Sequence, residues 1–274
     1  MKVIFSRKGF DSAAGGCPSP IIDAHPVSLP IPTDQPTAKR FGDLHGPYGR
    51  LVTDLTKNRL TENDWCHLDP DITEGVLSRQ PNWRGALGQV AAAQGHLVRQ
   101  GVQPGDLFIF WGLFRPAENH GRWKFVGKPE HRIWGWLQVA DILDLGPDGS
   151  HAVNERPWLN DHPHTRAGWG ATNVLYIGCR ELTLGSHQSS MPGYGVLKSG
   201  YRLSEPGANV STWRVPDWLH PLRHGSGMTY HPPHRWGDDG TVSIAARGQE
   251  FVTVVQQDGV AVEWLKALIE ERIT

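Results

Sequence analysis

Apolar residues fall in two rhythms along this chain, and the rhythms predict most of its elements. Val3 to Phe5 reads as a short buried strand, and the polar, glycine-rich run from Ser6 to Gly16 as the loop that follows it. Leu87, Val90, Ala91, Gln94, Leu97 and Val98 recur at helical spacing, and Gly101 can end that helix. A turn at Gln103-Pro104-Gly105-Asp106 leads into an apolar strand, Leu107 to Trp111, and a second strand is expected over Arg132 to Ile142. The residues between, Arg115 to Glu130, are polar and are expected to form a long loop. Asn173 to Ile177 is a further strand, followed by a Gly- and Ser-rich stretch through Tyr194 and Gly200 and an irregular region over 204–240. Thr241 to Ala246 and Glu250 to Val255 are expected to pair as a hairpin around Gly248. Asp258 can then cap a closing helix whose Val262, Leu265, Ile269 and Ile273 share a face.

Prolines 18, 20, 26, 30, 32 and 36 keep the segment before residue 40 extended, because proline fixes φ and donates no amide hydrogen bond. With 32 Gly and 21 Pro among 274 residues, a loop-rich globular protein is expected rather than a disordered one. No repeat or linker divides the chain, so residues 1–274 are read as one domain. The fold class expected is α+β: a mixed sheet or a small barrel, with packed helices and long irregular loops. Gly105-Asp106 before one strand and Trp134-Gly135-Trp136 in the next resemble the small PUA-like or EVE-like barrels, which places a barrel core at about 102–180. In that setting Trp136 would stack a base, with Trp123 also at the barrel mouth.

Charge narrows the choice of partner. The formal net charge is −1, so no global field holds polyanionic DNA, and any nucleic-acid contact must be local. Among the basic residues Arg outnumbers Lys, 19 to 8, and arginine suits bidentate recognition of phosphate and base edges. Cys17, Cys66 and Cys179 stand far apart, which argues against a disulfide framework. The apolar start is too short for a signal-peptide core, and no run approaches a membrane span, so a cytoplasmic protein without membrane contact is expected.

Two histidine clusters have metal-like spacing. In Cys66-His67-Leu68-Asp69-Pro70-Asp71, extended chain aims His67, Asp69 and Asp71 to one side, and His162 and His164 alternate likewise. Imidazoles with carboxylates suit one divalent iron, manganese or zinc ion, and His67, Asp69, His162 and His164 are its expected ligands. A bland reading competes, in which Asp69 and Asp71 cap a helix leading to Leu77. In the N-terminal loop, Lys8 and Asp11 follow a strand and precede Gly15 and Gly16, whose backbone can approach an anion closely. They could act on a ligand or simply pair with each other. The phosphate-binding GxxxxGK[ST] and GxGxxG patterns are absent, as are the GxSxG elbow and the zinc-deaminase signature.

Phe5-Ser6-Arg7-Lys8-Gly9-Phe10-Asp11-Ser12, Gly15 to Ile21, His67 to Asp71, Gly88-Gln89 with Gln94, Gly105-Asp106, Phe114-Arg115 and His162-Pro163-His164 together resemble the nucleotide modification associated domain family, type three. The resemblance runs from the first residues to at least Ile177. It implies a part in hypermodification of DNA bases, a nucleotide or nucleic-acid base as substrate, and other DNA-modification proteins as possible partners. The motifs put forward Ser6, Arg7, Lys8, Asp11, His67, Asp69, Asp71, Gln89, Gln94, Arg115, His162 and His164. By their chemistry, Arg7, Lys8 and Arg115 would hold phosphate, Gln89 and Gln94 would bond a base edge beside Ser6, and Asp11 or Asp69 would accept a proton. Lys8, Asp11, His67 and Asp69 are thus the expected catalytic group of a base- or nucleotide-modifying enzyme. The alternative is a PUA-like module that binds a modified base without catalysis.

Overall fold

The computed structural model describes all residues except 36–38, 224, 247, 249 and 271–274. Its centre is a mixed sheet of ten strands. The strands used below are β1 (Lys2–Arg7), β2 (Ser19–Ile22), β3 (Ala86–Gln89), β4 (Leu107–Asn119), β5 (Trp123–Phe125), β6 (Glu130–Asp144), β7 (Val174–Gly178), β8 (Tyr194–Arg202) and β9 (Glu250–Val254). The main path runs β9-β1-β4-β6-β7-β3. β1 is parallel to β4, with Val3 opposite Leu107 and Arg7 opposite Trp111, and antiparallel to β9, with Ile4 opposite Val252. β4 and β6 form the long antiparallel spine, Ile109 opposite Trp136. β2 lies parallel to the second half of β4, β5 forms a hairpin with its end, and β8 pairs with β6.

Alternation along these strands feeds two cores. Val3 and Phe5 of β1 join Leu107, Ile109, Trp111, Trp136, Trp213 and Phe251 on one face, closed by helix α3 (Val260–Glu270) through Val262, Leu265 and Ile269. Ile4 of the same strand joins Leu87, Phe108, Phe110, Leu137, Tyr176 and Val252 on the other. Helix α2 (Ala91–Arg99) covers that second face with Leu97, tied down where the Tyr176 hydroxyl donates to Gln94 Oε1 at 2.9 Å. A third cluster, with Phe10, Leu29, Phe41, Leu51 and Val52, seats helix α1 (Tyr48–Leu55) and the proline-rich segment.

The sheet curls until side chains from its two end strands meet: Gln89 of β3 donates to Glu250 of β9 at 2.6 Å. No backbone ladder joins those strands among the described residues, so the barrel does not close and the mixed-sheet alternative holds. The expected strands near Val3, Leu107, Arg132 and Asn173 are present. Other expectations change. Leu87 lies in β3 rather than in the helix, because a strand that abuts a helix extended the apolar stripe by chance. The polar segment 115–130 is largely the β4–β5 hairpin, and the Gly-rich stretch contains β8. Thr241–Ser243 and β9 do not pair with each other: the first takes Thr212–Arg214 and the second takes β1. Asp258, expected to cap α3, accepts from the Ser186 amide and hydroxyl at 3.2 Å each. Ile273, Pro36 and His224 lie outside the described residues.

Candidate functional site

Where the apolar inner face ends, it turns polar. The alternation that sends Ile4, Leu87 and Val252 inward also sends Ser6, Gln89 and Glu250 inward, one step nearer the sheet's end. Glu250 Oε1 accepts from Ser6 Oγ at 3.1 Å and from Gln89 Nε2 at 2.6 Å, while Oε2 is buried without a hydrogen-bond partner. Lys8 continues β1 by one residue, its amide donating to the Trp111 carbonyl at 2.8 Å. Its Nζ stands between two carboxylates, 3.7 Å from Asp69 and 3.9 Å from Glu250. Burial pushes the Glu250 carboxyl up, against the pull of Lys8 and the hydrogen bonds from Ser6 and Gln89.

Lys8, Gln89 and Asp69 open on a cavity of about 560 Å³, also lined by Arg7, Asp11, His67, Gly88, His164 and Trp169. Its floor carries three donor groups. One ligand atom each from His67, Asp69 and His164 lies within 4.8 Å of the other two. His67 sits in a two-residue pairing with Ile31, and the extended chain after it brings Asp69 to the same side, as alternation required. Asp69 Oδ1 accepts the Gly88 amide at 2.6 Å. Gly88 must lack a side chain, since a Cβ there would come 2.1 Å from the His164 ring.

The His164 ring is held in place by its neighbours. Asn173 Nδ2 donates to the His164 carbonyl at 2.9 Å, which leaves its Oδ1 to accept from His164 Nδ1 at 2.7 Å. Nδ1 therefore carries the proton, and Nε2 presents its lone pair. Trp169 stacks on the same ring at 4.2 Å. Burial holds His67 down to about 3 and His164 down to about 4, so both imidazoles are neutral near pH 7. Burial alone would raise Asp69, but Lys8 first, with the neighbouring His162 and His164, holds its carboxyl well below the usual carboxylate range. Two neutral imidazoles and one ionised carboxylate beside open space fit a divalent transition metal. His162 stands behind this set, its Nε2 3.5 Å from Asp69 Oδ1 and its Nδ1 accepting from the His164 amide.

The family profile of nucleotide modification associated domain 3 matches residues 2–254. The chain belongs to that family. Comparison with curated proteins and with solved structures gave no match. Membership gives this chain a role in nucleotide modification and a nucleotide-related substrate. Among the described residues, no helix is long and apolar enough to cross a membrane.

Within this family member, the structure gathers Ser6, Arg7, Lys8, Asp11, His67, Asp69, Gln89, His162 and His164 around one end of the sheet, and leaves four candidates elsewhere. Asp11 does not pair with Lys8; its Oδ2 accepts from Arg7 Nη2 at 2.5 Å, and its Oδ1 closes a turn by accepting the Ala13 and Ala14 amides at 2.7 Å. Asp71 neither caps a helix nor reaches the cavity, because both its oxygens bind the Arg79 guanidinium, at 2.5 and 2.8 Å. Gln94 is spent on Tyr176. Trp136, 3% exposed, is core, its Nε1 donating to the Pro192 carbonyl at 3.3 Å, so it offers no face to a base. Arg115 lines a separate cavity with Trp123. Sequence reading missed Glu250, Asn173 and Trp169. A charged residue in phase with Val252 on an otherwise apolar strand was the available signal for Glu250; Asn173 and Trp169 carried none.

Proposed function

We propose that this chain modifies a nucleobase or nucleotide in the 560 Å³ cavity with the help of one divalent ion held by His67, Asp69 and His164. The observation that carries the reading is the convergence of those three groups, with the His164 lone pair fixed by Asn173. Of iron, manganese and zinc, the set of two histidines and one carboxylate favours iron(II), which, with molecular oxygen as oxidant and a two-electron-donating co-substrate, would supply hydroxylation of a C–H bond. The chain's own residues then have separable tasks. Arg7, held by Asp11, and Lys8 place positive charge on the cavity wall for a substrate phosphate. Lys8, Ser6 and Gln89 keep Glu250 in place at the cavity's rear, and His162 backs Asp69. The hydrogen-bonding groups of Gln89 that Glu250 leaves free can meet a base edge.

The test is metal content after anaerobic reconstitution with iron(II), manganese(II) or zinc(II), together with mass spectrometry of nucleosides from cells with and without the protein. Wild type is expected to take up about one ion per chain, and His67→Ala and His164→Ala to lose it and the modified nucleoside together. Equal, near-zero uptake by wild type and variants defeats the metal reading. Base binding that persists with no metal uptake and no new nucleoside would favour a module that only recognises a modified base.

A further inference from the structure

The second cavity, about 460 Å³, lies where the β4–β5 hairpin meets the end of α1. Arg115, Lys57, Arg122 and Lys124 line it, with Trp123 and Phe125 as half-buried walls. Its one carboxylate, Asp54, is already engaged: Oδ2 accepts the Trp123 amide at 3.0 Å and pairs with Arg50 at 3.7 Å. None of the four cations forms a salt bridge among the described residues. Arg115 is held from behind, since Nε donates to the Val126 and Gly127 carbonyls at 3.3 and 3.0 Å and the guanidinium lies 5.5 Å from the Phe125 ring centre. Among the described residues its terminal nitrogens make no hydrogen bond and can donate to a ligand. In a chain of net charge −1, four cations that form no salt bridge among the described residues, set around aromatic walls, are a local concentration of positive charge.

From these groups we infer that the second cavity binds the phosphodiester backbone of a single polynucleotide strand, with an unpaired base against Trp123 or Phe125, while the target base occupies the first cavity. This rests on the function proposed above. Cations that follow a backbone, beside aromatic rings that accept any base face, are the chemistry of single-strand binding. The two cavities are linked by rigid structure. On β4, Arg115 lies four residues beyond Trp111, which pairs with Arg7 of the first cavity, a distance of about 13 Å at ~3.3 Å per residue. That is about four nucleotides at ~3.4 Å each. Between them, the loop whose Asp11 and Ala14 line the first cavity passes its Gly16 carbonyl to Arg59 Nη2 at 3.3 Å, one residue after Asn58 at the second cavity. A mononucleotide can fill only one of these sites; a strand can fill both.

The experiment compares binding of a deoxynucleoside monophosphate, a single strand of about twelve nucleotides and its duplex, by fluorescence anisotropy or competition, at about 50 and about 200 mM salt. It uses the full chain and the double variant Arg122→Glu/Lys124→Glu, both exposed positions, with a thermal melt to establish folding. The strand is expected to bind wild type at least about tenfold more tightly than the monophosphate. The double variant is expected to lose that advantage, keep its affinity for the monophosphate, and lose about 1.4 from the slope of log K against log salt, ~0.7 per cation. Equal binding of strand and monophosphate by wild type overturns the proposal, as does unchanged strand affinity in a folded double variant. Tighter binding of the duplex than of the strand also overturns it, in favour of a duplex surface. His67→Ala separates the two readings: if it leaves strand affinity intact while metal uptake and product are absent even from wild type, the proposed chemistry fails and the strand site stands.

Discussion

The two faces of the central sheet come from alternate residues of the same strands, yet they are finished differently. On β1, Phe5 enters a face of Trp111, Trp213 and Phe251, where rings pack edge to face, tilted or stacked at 4.7 to 6.4 Å. Its neighbour Ser6 enters a face that ends in Glu250, Gln89 and Lys8. On β9 the same split separates Phe251 from Glu250. The aromatic face gains its stability from buried area and geometry. The polar face must satisfy its groups one by one, because an unpaired buried polar atom is costly. The division teaches that the second face, an apolar core along most of its length, can still end in polar groups held at fixed positions for a ligand.

The sharpest attempt to break this division is Trp213→Ala. Trp213 is fully buried and touches both Trp111 and Phe251. Its loss is expected to cost about 3–5 kcal/mol, read by urea or thermal unfolding. A change in metal uptake at temperatures where the variant is still folded would show that the faces are not independent.

Asn173→Ala probes the other face. Asn173 does not meet His164 at Nε2, the atom proposed to face the ion; it fixes the tautomer of that ring from Nδ1. Metal affinity is expected to fall about 10–100-fold, measured against a competing chelator. If uptake is unchanged while stability drops, Asn173 is merely a packing residue of the loop before β7.

How far these faces could be read from sequence follows from what periodicity encodes. Alternation reports which side a residue faces, so the strands around Ile4, Ile109, Val139 and Tyr176 and the pairing of His67 with Asp69 were legible. It does not report which strands become neighbours. Gln89 and Glu250 are 161 residues apart and meet only because the sheet curls. Trp136 and Arg115 failed as neighbours of the first cavity for the same reason: parity put Trp136 on the aromatic face, and the length of β4 carried Arg115 to a different cavity. Asn173 follows a loop and precedes a strand, a position in which its side-chain partner is set by tertiary contact alone.

The smallest expected effect concerns a titratable group inside the aromatic face. His131, buried against Trp111 at a ring distance of 4.9 Å, accepts the Trp213 Nε1 proton on Nδ1 at 2.8 Å. Burial first, then Arg7, pushes its imidazole down to about 3, against the opposing pull of Asp11. The folded protein therefore holds His131 neutral over a range in which the unfolded chain, with a pKa of about 6.5, protonates it. Its contribution is complete above about pH 6.5 and is lost as pH falls from there toward the folded value, because the unfolded state binds the extra proton. Between pH 6 and pH 5 that loss is about 1 kcal/mol. His131→Asn keeps an acceptor for Trp213 but cannot titrate, so its stability curve is expected to fall less steeply than wild type by that amount. His67 and His164 titrate in both proteins and cancel in the difference. Parallel curves for wild type and a folded His131→Asn would mean that His131 is already protonated, or hydrated, in the native state, and that water reaches the aromatic face.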